Sequence, residues 1–402
     1  MTEIGMKALL QQYETPFYVL EEDKLKERVA FLKSRLPKNV ALCYAVKANT
    51  FLIPALMTDV ERMEICSPGE LAICRKVGVP MEQCVISGVY KQSGVMESFV
   101  REGVEKDTAP ALYTVESKAQ FALLQQAAEK YHTVLPVLLR LTSGNQFGLD
   151  ETDIEQIIAE RNDQTALMIR GIQFFSGTQK TSLKRLKREL DRLDDFLDHL
   201  KETYGYAAEE LEFGPGLPVP YFAGDTFEEE PFLQGFSELL ENLRFSGKIT
   251  LELGRSMAAG CGQYVTQVVD IKQNHGESYA IVDGGMHQLV YFGQSLAMKQ
   301  PGIRLYSGQK TNGDHKWNIC GSLCTANDIL VKQMPLPNLH IGDVLAFQKT
   351  GAYCLTEGIA LFLSRDIPKV LWVSSSGQTT ILRHTIQTEV MNTPMLQKEK
   401  GE

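Results

Sequence analysis

The sequence predicts an α/β protein: a (β/α)8 TIM barrel with a second, mainly β domain. Three observations predict it. Apolar runs of strand length alternate with helix-favouring segments from about residue 23 to residue 260. Beyond about Gly260 the helical spacers thin out while strand-like runs continue. The chain of 402 residues also exceeds what one ordinary core holds. The expected division is a barrel over 23–260 and a β-rich domain made of 1–22 plus 261–402, completed by the N-terminal strand.

Taken in order, residues 15–20 (TPFYVL) form a β-rich run after a helical start, and charged, helix-favouring residues follow over 21–36. Residues 40–46 (VALCYAV) read as a buried strand that runs into Lys47. Further strand candidates are 63–66, 84–87, 111–115, 134–141, 166–175, 210–213 and 248–252. Helical stretches lie between them at 118–129, 151–161, 181–204 and 231–245. In the third of these, Leu183, Leu186, Leu190, Leu193, Phe196, Leu197 and Leu200 recur at helical spacing, which suits an outer helix of a barrel. In the second domain, 264–271, 279–282, 343–348 and 370–373 have strand character, and 15–20 is placed to pair with them. The tail at 397–402 is expected to fray.

Composition narrows the function. A net charge of −9 argues against nucleic acid or an anionic membrane as the main partner. The first ten residues lack a basic start followed by a long apolar run, so no secretory leader is expected. No stretch approaches the roughly 20 apolar residues that span a bilayer. The eight cysteines are scattered, with no CxxC pair, and Cys320 and Cys324 lack partners at zinc spacing. The expectation is a cytoplasmic, reduced protein with no metal.

Residues at the C-terminal ends of barrel strands face the active site. Lys47 ends the first apolar run, and a buried lysine there needs a partner or a covalent modification, although a lysine marking a strand end at the surface looks the same. Gly214-Pro215-Gly216 follows a strand, where glycines let backbone N–H groups approach an anion; an ordinary turn is the alternative. Glu252 and Arg255 end the next strand and could pair with a protonated ring nitrogen and a phosphate, or simply with each other. Cys324, near Asp328, is a candidate proton donor, against the common buried, inert cysteine. Tyr353, two residues after Gly351, offers a phenol able to hydrogen-bond a phosphate, or is a hairpin tyrosine.

The order of these pieces resembles the alanine-racemase-like, fold-type III pyridoxal-phosphate decarboxylases, the diaminopimelate, ornithine and arginine decarboxylase family. The resemblance rests on YAVKAN (44–49), EICSPGEL (64–71), QFGLD (146–150), GIQFFSGTQ (171–179), FGPGLPVPYF (213–222), ELGR (252–255), VDGGMH (282–287), GSLCTAND (321–328) and GAY (351–353). It implies pyridoxal 5'-phosphate as cofactor, carried by Lys47 as a Schiff base, with Glu252 at the pyridine nitrogen. It places Gly214, Gly216, Arg255 and Tyr353 at the phosphate, with Thr178 adding a hydroxyl, and Phe175 against the ring. It implies that Cys324 reprotonates the substrate from a partner subunit, that Asp328 helps to bind substrate, and that the chain forms a head-to-tail homodimer with shared sites. A racemase of this fold would need a tyrosine base opposite the lysine. A regulatory relative without cofactor would have no use for Lys47, Glu252, Arg255 and Cys324 together.

The chain departs from the pattern where relatives carry a histidine (Phe175 here), a middle glycine (Pro215), a carboxylate-gripping arginine (Tyr291) and an acid after the cysteine (Thr325). The last two departures weigh against diaminopimelate and diamine precursors such as ornithine, lysine or arginine, because a buried distal charge without a partner costs several kcal/mol. Threonine after the cysteine, VDGGMH and the VPYF ending are closer to decarboxylases of specialised metabolism: the butirosin-pathway enzyme acting on a carrier-protein-tethered glutamyl group, and siderophore-pathway enzymes acting on conjugated amino acids. Thr325 and Tyr291 are therefore expected to line the substrate's distal end.

Overall fold

The computed structural model describes residues 2–161, 166–307, 313 and 315–395; the tail expected to fray, 397–402, lies outside the described residues. The chain divides into two compact units: Arg28–Val219 with Phe227–Met257, and Met1–Glu27 with Pro220–Thr226 and Ala258–Glu402. Strands are numbered along the chain. β1 is Phe17–Glu21. The strands β2 Val40–Ala45, β3 Arg62–Ile65, β4 Cys84–Ile86, β5 Leu112–Val115, β6 Leu135–Leu141, β7 Leu167–Phe175, β8 Glu210–Gly214 and β9 Lys248–Leu253 follow. The remainder are β10 Gly262–Asn274, β11 Glu277–Val282, β12 Ile303–Tyr306, β13 His315–Cys320, β14 Ile329–Leu336, β15 Val344–Gln348, β16 Lys369–Val373 and β17 Thr379–Arg383.

In the first unit, β2 to β9 close a barrel in chain order, with β2 pairing parallel to β9. Alternate residues of a barrel strand face in and out. On β8, Leu211 and Phe213 face the outer helices, and the Phe213 ring lies 6.4 Å from Phe236 of the helix Glu229–Glu241. The intervening residues face inward and are acids. Arg62 on β3 binds Glu210 on β8 through two guanidinium nitrogens, and Thr250 Oγ1 donates to the same carboxylate at 2.7 Å. β3 and β8 are not neighbours in the barrel, so these bonds cross its interior. Part of that interior is thus polar, where branched apolar side chains are the rule.

The outer helix Leu183–Tyr204 buries Leu186, Leu190, Leu193, Phe196, Leu197 and Leu200, the face its spacing predicts. It stops at Gly205, whose φ of 60° places it in the left-handed region. Tyr206 N–H then closes the end on the Leu200 carbonyl at 3.2 Å. The helices Pro68–Val77 and Ser93–Glu105 complete the outer layer between β3 and β5.

In the second unit nine strands form one sheet among the described residues, in the order β14-β13-β11-β10-β1-β16-β17, with β15 pairing to β10 and β12. β1 lies between β10, antiparallel, and β16, parallel. Its Phe17 and Val19 pack with Met6, Leu9, Val265, Val344 and Leu371. The sequence does not single out β12, β13, β14 or β17, because polar residues such as Lys316, Asn318, Gln333 and Thr380 break their apolar runs. Among the described residues no helix is long and apolar enough to cross a membrane.

Phe17 is fully buried. Phe17→Ala is expected to cost about 3–5 kcal/mol of stability by chemical denaturation. A cost below about 1 kcal/mol would remove β1 from the core.

Candidate active site

The barrel brings its chemistry together at the C-terminal ends of adjacent strands. β2 ends in a short 3-10 turn, Val46–Ala48, which presents Lys47. Lys47 Nζ donates to Glu64 Oε2 at 2.8 Å and lies 3.5 Å from Glu252 Oε1 and 3.7 Å from Cys66 Sγ. Glu64 and Glu252 end β3 and β9, and both are buried. Glu252 Oε2 accepts a bond from Gln173 Nε2 on β7 at 3.0 Å.

Two buried carboxylates share one lysine here, and their proton affinities separate. Burial would raise that of Glu64, but the Lys47 charge and hydrogen bond outweigh it and hold the carboxyl below its ordinary value. Glu252 is pushed up to about 7, first by burial and then by the charge of Glu64. The site therefore holds one firm anion against the lysine and one carboxyl poised between its two states.

Next to this pair, two loops form a glycine-lined cradle. Gly216 follows β8 with φ of +61°, and a Cβ there would lie 2.1 Å from the Gly177 carbonyl oxygen. A Cβ on Gly214 would meet the Phe175 ring at 2.5 Å. Lys180 N–H donates to the Gly216 carbonyl, and the Gln179 amide bonds both N–H and C=O of Val219. Thr178 sits in the loop so clamped. Arg255 begins the turn after β9, which Arg28 fixes by donating to the Ser256 carbonyl at 2.6 Å while chelating Glu229.

These features suit pyridoxal phosphate. A lysine amine, a carboxyl poised to face a ring nitrogen, and a loop that tolerates no side chain at Gly216 are the donors such a group needs. Lys47, Phe175, Thr178, Gly214, Gly216, Glu252 and Arg255, all expected from the sequence, lie in the barrel unit. Glu64, Gln173 and Cys66 were not singled out. An acid such as Glu64 inside a short apolar run is the sequence signal that could have found it.

The other expected residues lie in the sheet unit. Cys324 is exposed, on the loop between β13 and β14. Asp328 closes that loop: its carboxylate accepts the N–H groups of Met286 and Leu323, each at 2.7 Å, while Gly321 N–H donates to its backbone carbonyl. A side chain on Gly285 or Gly321 would strike this carboxylate. Thr325 caps the turn, and its hydroxyl accepts weakly from Asn327 N–H at 3.4 Å. Tyr291 donates its hydroxyl to the Gln348 carbonyl at 2.5 Å. Tyr353 adopts a left-handed φ of 63° in a turn where its carbonyl accepts from Thr356 and Glu357 N–H.

Comparison with known proteins gives a consistent answer. Residues 17–351 match the family described as pyridoxal-dependent decarboxylase, C-terminal sheet domain. The chain is 27% identical to the L-glutamyl-[BtrI acyl-carrier protein] decarboxylase of Niallia circulans, over 98% of this chain and 97% of that one. It is also 27% identical to the diaminopimelate decarboxylase of Aquifex aeolicus, over 87% of this chain and 84% of that one. The crystal structure of Helicobacter pylori diaminopimelate decarboxylase complexed with L-lysine superposes with a TM-score of 0.83 at 23% identity, covering 96% of this chain and 98% of that one.

The coupling between the two carboxyls is testable. In Glu64→Gln, the negative charge that helps to hold the Glu252 proton is gone. The Glu252 midpoint, followed by carbon-13 NMR of labelled glutamate in cofactor-free protein, is expected to fall below its value of about 7. An unchanged midpoint would show that the two carboxyls do not interact.

Proposed function

The chain belongs to the pyridoxal-dependent decarboxylase family and is a carboxy-lyase; from that premise we propose that it decarboxylates an amino-acyl group whose distal end is a neutral amide or thioester, in specialised metabolism. Tyr291 carries this reading. It stands where the resemblance places a carboxylate-gripping arginine, and it is 6% exposed with its hydroxyl committed to Gln348. Its ring lies 5.5 Å from that of Tyr221 and 5.8 Å from that of Phe222. An aromatic cluster of this kind accepts a neutral chain more readily than a charge. Thr325, where an acid would meet a distal amine, points the same way. The relative that acts on a carrier-tethered glutamyl group supports a carrier protein as the source of substrate.

The roles proposed for the chain's residues follow from their chemistry. Lys47 would hold the cofactor covalently. Glu252, the carboxyl poised near neutrality, would pair with the ring nitrogen and keep a proton there. Gly214, Gly216, Thr178 and Arg255, with Tyr353 as the resemblance implies, would hold the phosphate, and Phe175 would stack on the ring. Pyridoxal phosphate, when bound, supplies an electron-withdrawing ring that takes up the electron pair left by departing carbon dioxide. Cys324 delivers the proton that replaces the carboxylate, reaching the site from the partner copy in a homodimer, and Asp328 holds the loop that presents it. No disulfide joins any of the eight cysteines, which suits the cytoplasm.

The alternative reading, a diaminopimelate or basic amino-acid decarboxylase, is favoured by relatives of that name at equal identity. A mass-spectrometric scan for loss of carbon dioxide separates the two. The panel holds free diaminopimelate, ornithine, lysine, arginine and glutamate beside a carrier-tethered glutamyl group and amide-linked amino acids. Turnover confined to tethered or conjugated substrates is expected; turnover of a free diamine precursor or of diaminopimelate would overturn the reading of Tyr291 and Thr325. In Cys324→Ala, cofactor binding is expected to persist while product formation falls about a hundredfold or more. Wild-type turnover in that variant would remove Cys324 as proton donor.

A further inference from the structure

Beneath Glu252, the barrel holds an acid to which no role has yet been given. Glu212 on β8 is 0% exposed, and neither of its carboxylate oxygens has a hydrogen-bond partner among the described residues. Arg62 Nη1 lies 3.8 Å away, but the guanidinium is spent on Glu210. The groups facing Glu212 are Arg62 and Glu64 from β3, Glu210 from its own strand, Glu252 from β9 and the Cys43 thiol from β2. Arg62 matches Glu210 and Lys47 matches Glu64. Arg140 pairs with Glu116 elsewhere in the barrel. A ring-nitrogen cation would match Glu252, and of the carboxyls named here Glu212 is then left with only the more distant Arg62 guanidinium, already bonded to Glu210.

A second orphan stands beside it. Gln173 is the register partner of Glu212 across β7 and β8. Its amide nitrogen donates to Glu252, which fixes its oxygen as the other end, and that oxygen Oε1 has no donor among the described residues. Two acceptors on paired residues both lack a hydrogen. A single proton on Glu212 would give this pair of acceptors a donor, because a carboxylic acid is a donor where a carboxylate is not. Buried polar groups without partners are costly, and such a proton lowers that cost.

We propose that Glu212 is a positioning residue that stays protonated through neutral pH and acts through Gln173, whose amide holds Glu252 in place. Neutral Glu212 adds no second anion below Glu252, so Glu252 remains free to serve one cation. Burial, and then the charge of Glu252, push the Glu212 carboxyl well above its ordinary value, in agreement with the geometry. The functional role rests on the proposed placing of Glu252 at the ring nitrogen; the proton itself does not.

The test uses the full chain without cofactor, so that its outcome is independent of that placing. A carboxyl whose folded-state proton affinity is raised stabilises the fold most at low pH and loses that advantage as pH rises above the ordinary carboxylate range. Glu212→Gln lacks this loss. Its folding equilibrium is expected to gain on wild type about tenfold per pH unit from there through neutral pH. Parallel stability curves would overturn the proposal. Should Glu212→Gln fail to fold, the infrared spectrum of wild type decides. A carboxylic-acid carbonyl band that persists above neutral pH, where Glu252 has titrated, supports the stored proton, and its absence overturns it. For the positioning role, Glu212→Gln, which keeps a donor, is expected to bind pyridoxal phosphate and to titrate its absorbance as wild type does. Glu212→Leu is expected to bind about tenfold more weakly, with a shifted titration. Equal behaviour of the two variants would overturn the relay through Gln173.

Discussion

A carboxylate inside a protein must find a cation, a dipole or a proton, and the barrel interior is arranged around that requirement. Glu210 finds Arg62 and Glu64 finds Lys47. Glu252 finds the Gln173 amide and stands 3.5 Å from the same lysine. Removing one member of such a set leaves its partner buried and unmatched, which typically costs 3–5 kcal/mol. The same arrangement is the source of reactivity. A lysine held between two carboxyls and a carboxyl balanced near neutrality are what a carbonyl cofactor with a basic ring nitrogen requires.

The fold supplies the positions. Parallel strands in a closed barrel deliver Lys47, Glu64, Phe175, Gly214 and Glu252 from five strand ends to one rim. The outer helices bury the opposite faces of those strands, so the inward acids cannot turn outward without exposing residues such as Leu211 and Phe213. The loops after β7 and β8 are locked by Gln179, so the cradle at Gly216 exists before anything binds. In the sheet unit, Asp328 plays a comparable part. Its two accepted bonds hold the turn after β11 to the loop that bears Cys324.

Much of this was legible in the sequence because it rests on residues of unusual type in unusual places. A lysine closing an apolar run, glycines flanking a proline after a strand, and ELGR at the next strand end each have an ordinary reading alone, but their order resembles one family. The inward acids were harder to see. In ELEFG, over 210–214, the alternation of acid and apolar residue reads as a strand with one wet face. Only the closed barrel reveals that the acidic face is the inner one and that Arg62 crosses to meet it. Glu64 was hidden in the same way. The later strands escaped because an edge or half-covered strand carries polar residues that blur its period, as in β13 and β14.

The central claim is that Lys47, set between Glu64 and Glu252, is the covalent anchor of the cofactor. The direct measurement is borohydride reduction of the pyridoxal-phosphate-loaded protein, followed by digestion and mass-spectrometric mapping of the modified peptide. The account predicts a single pyridoxyl mark on Lys47. A mark on another lysine, such as the buried Lys91, or no mark at all on a protein that still releases carbon dioxide, would contradict it.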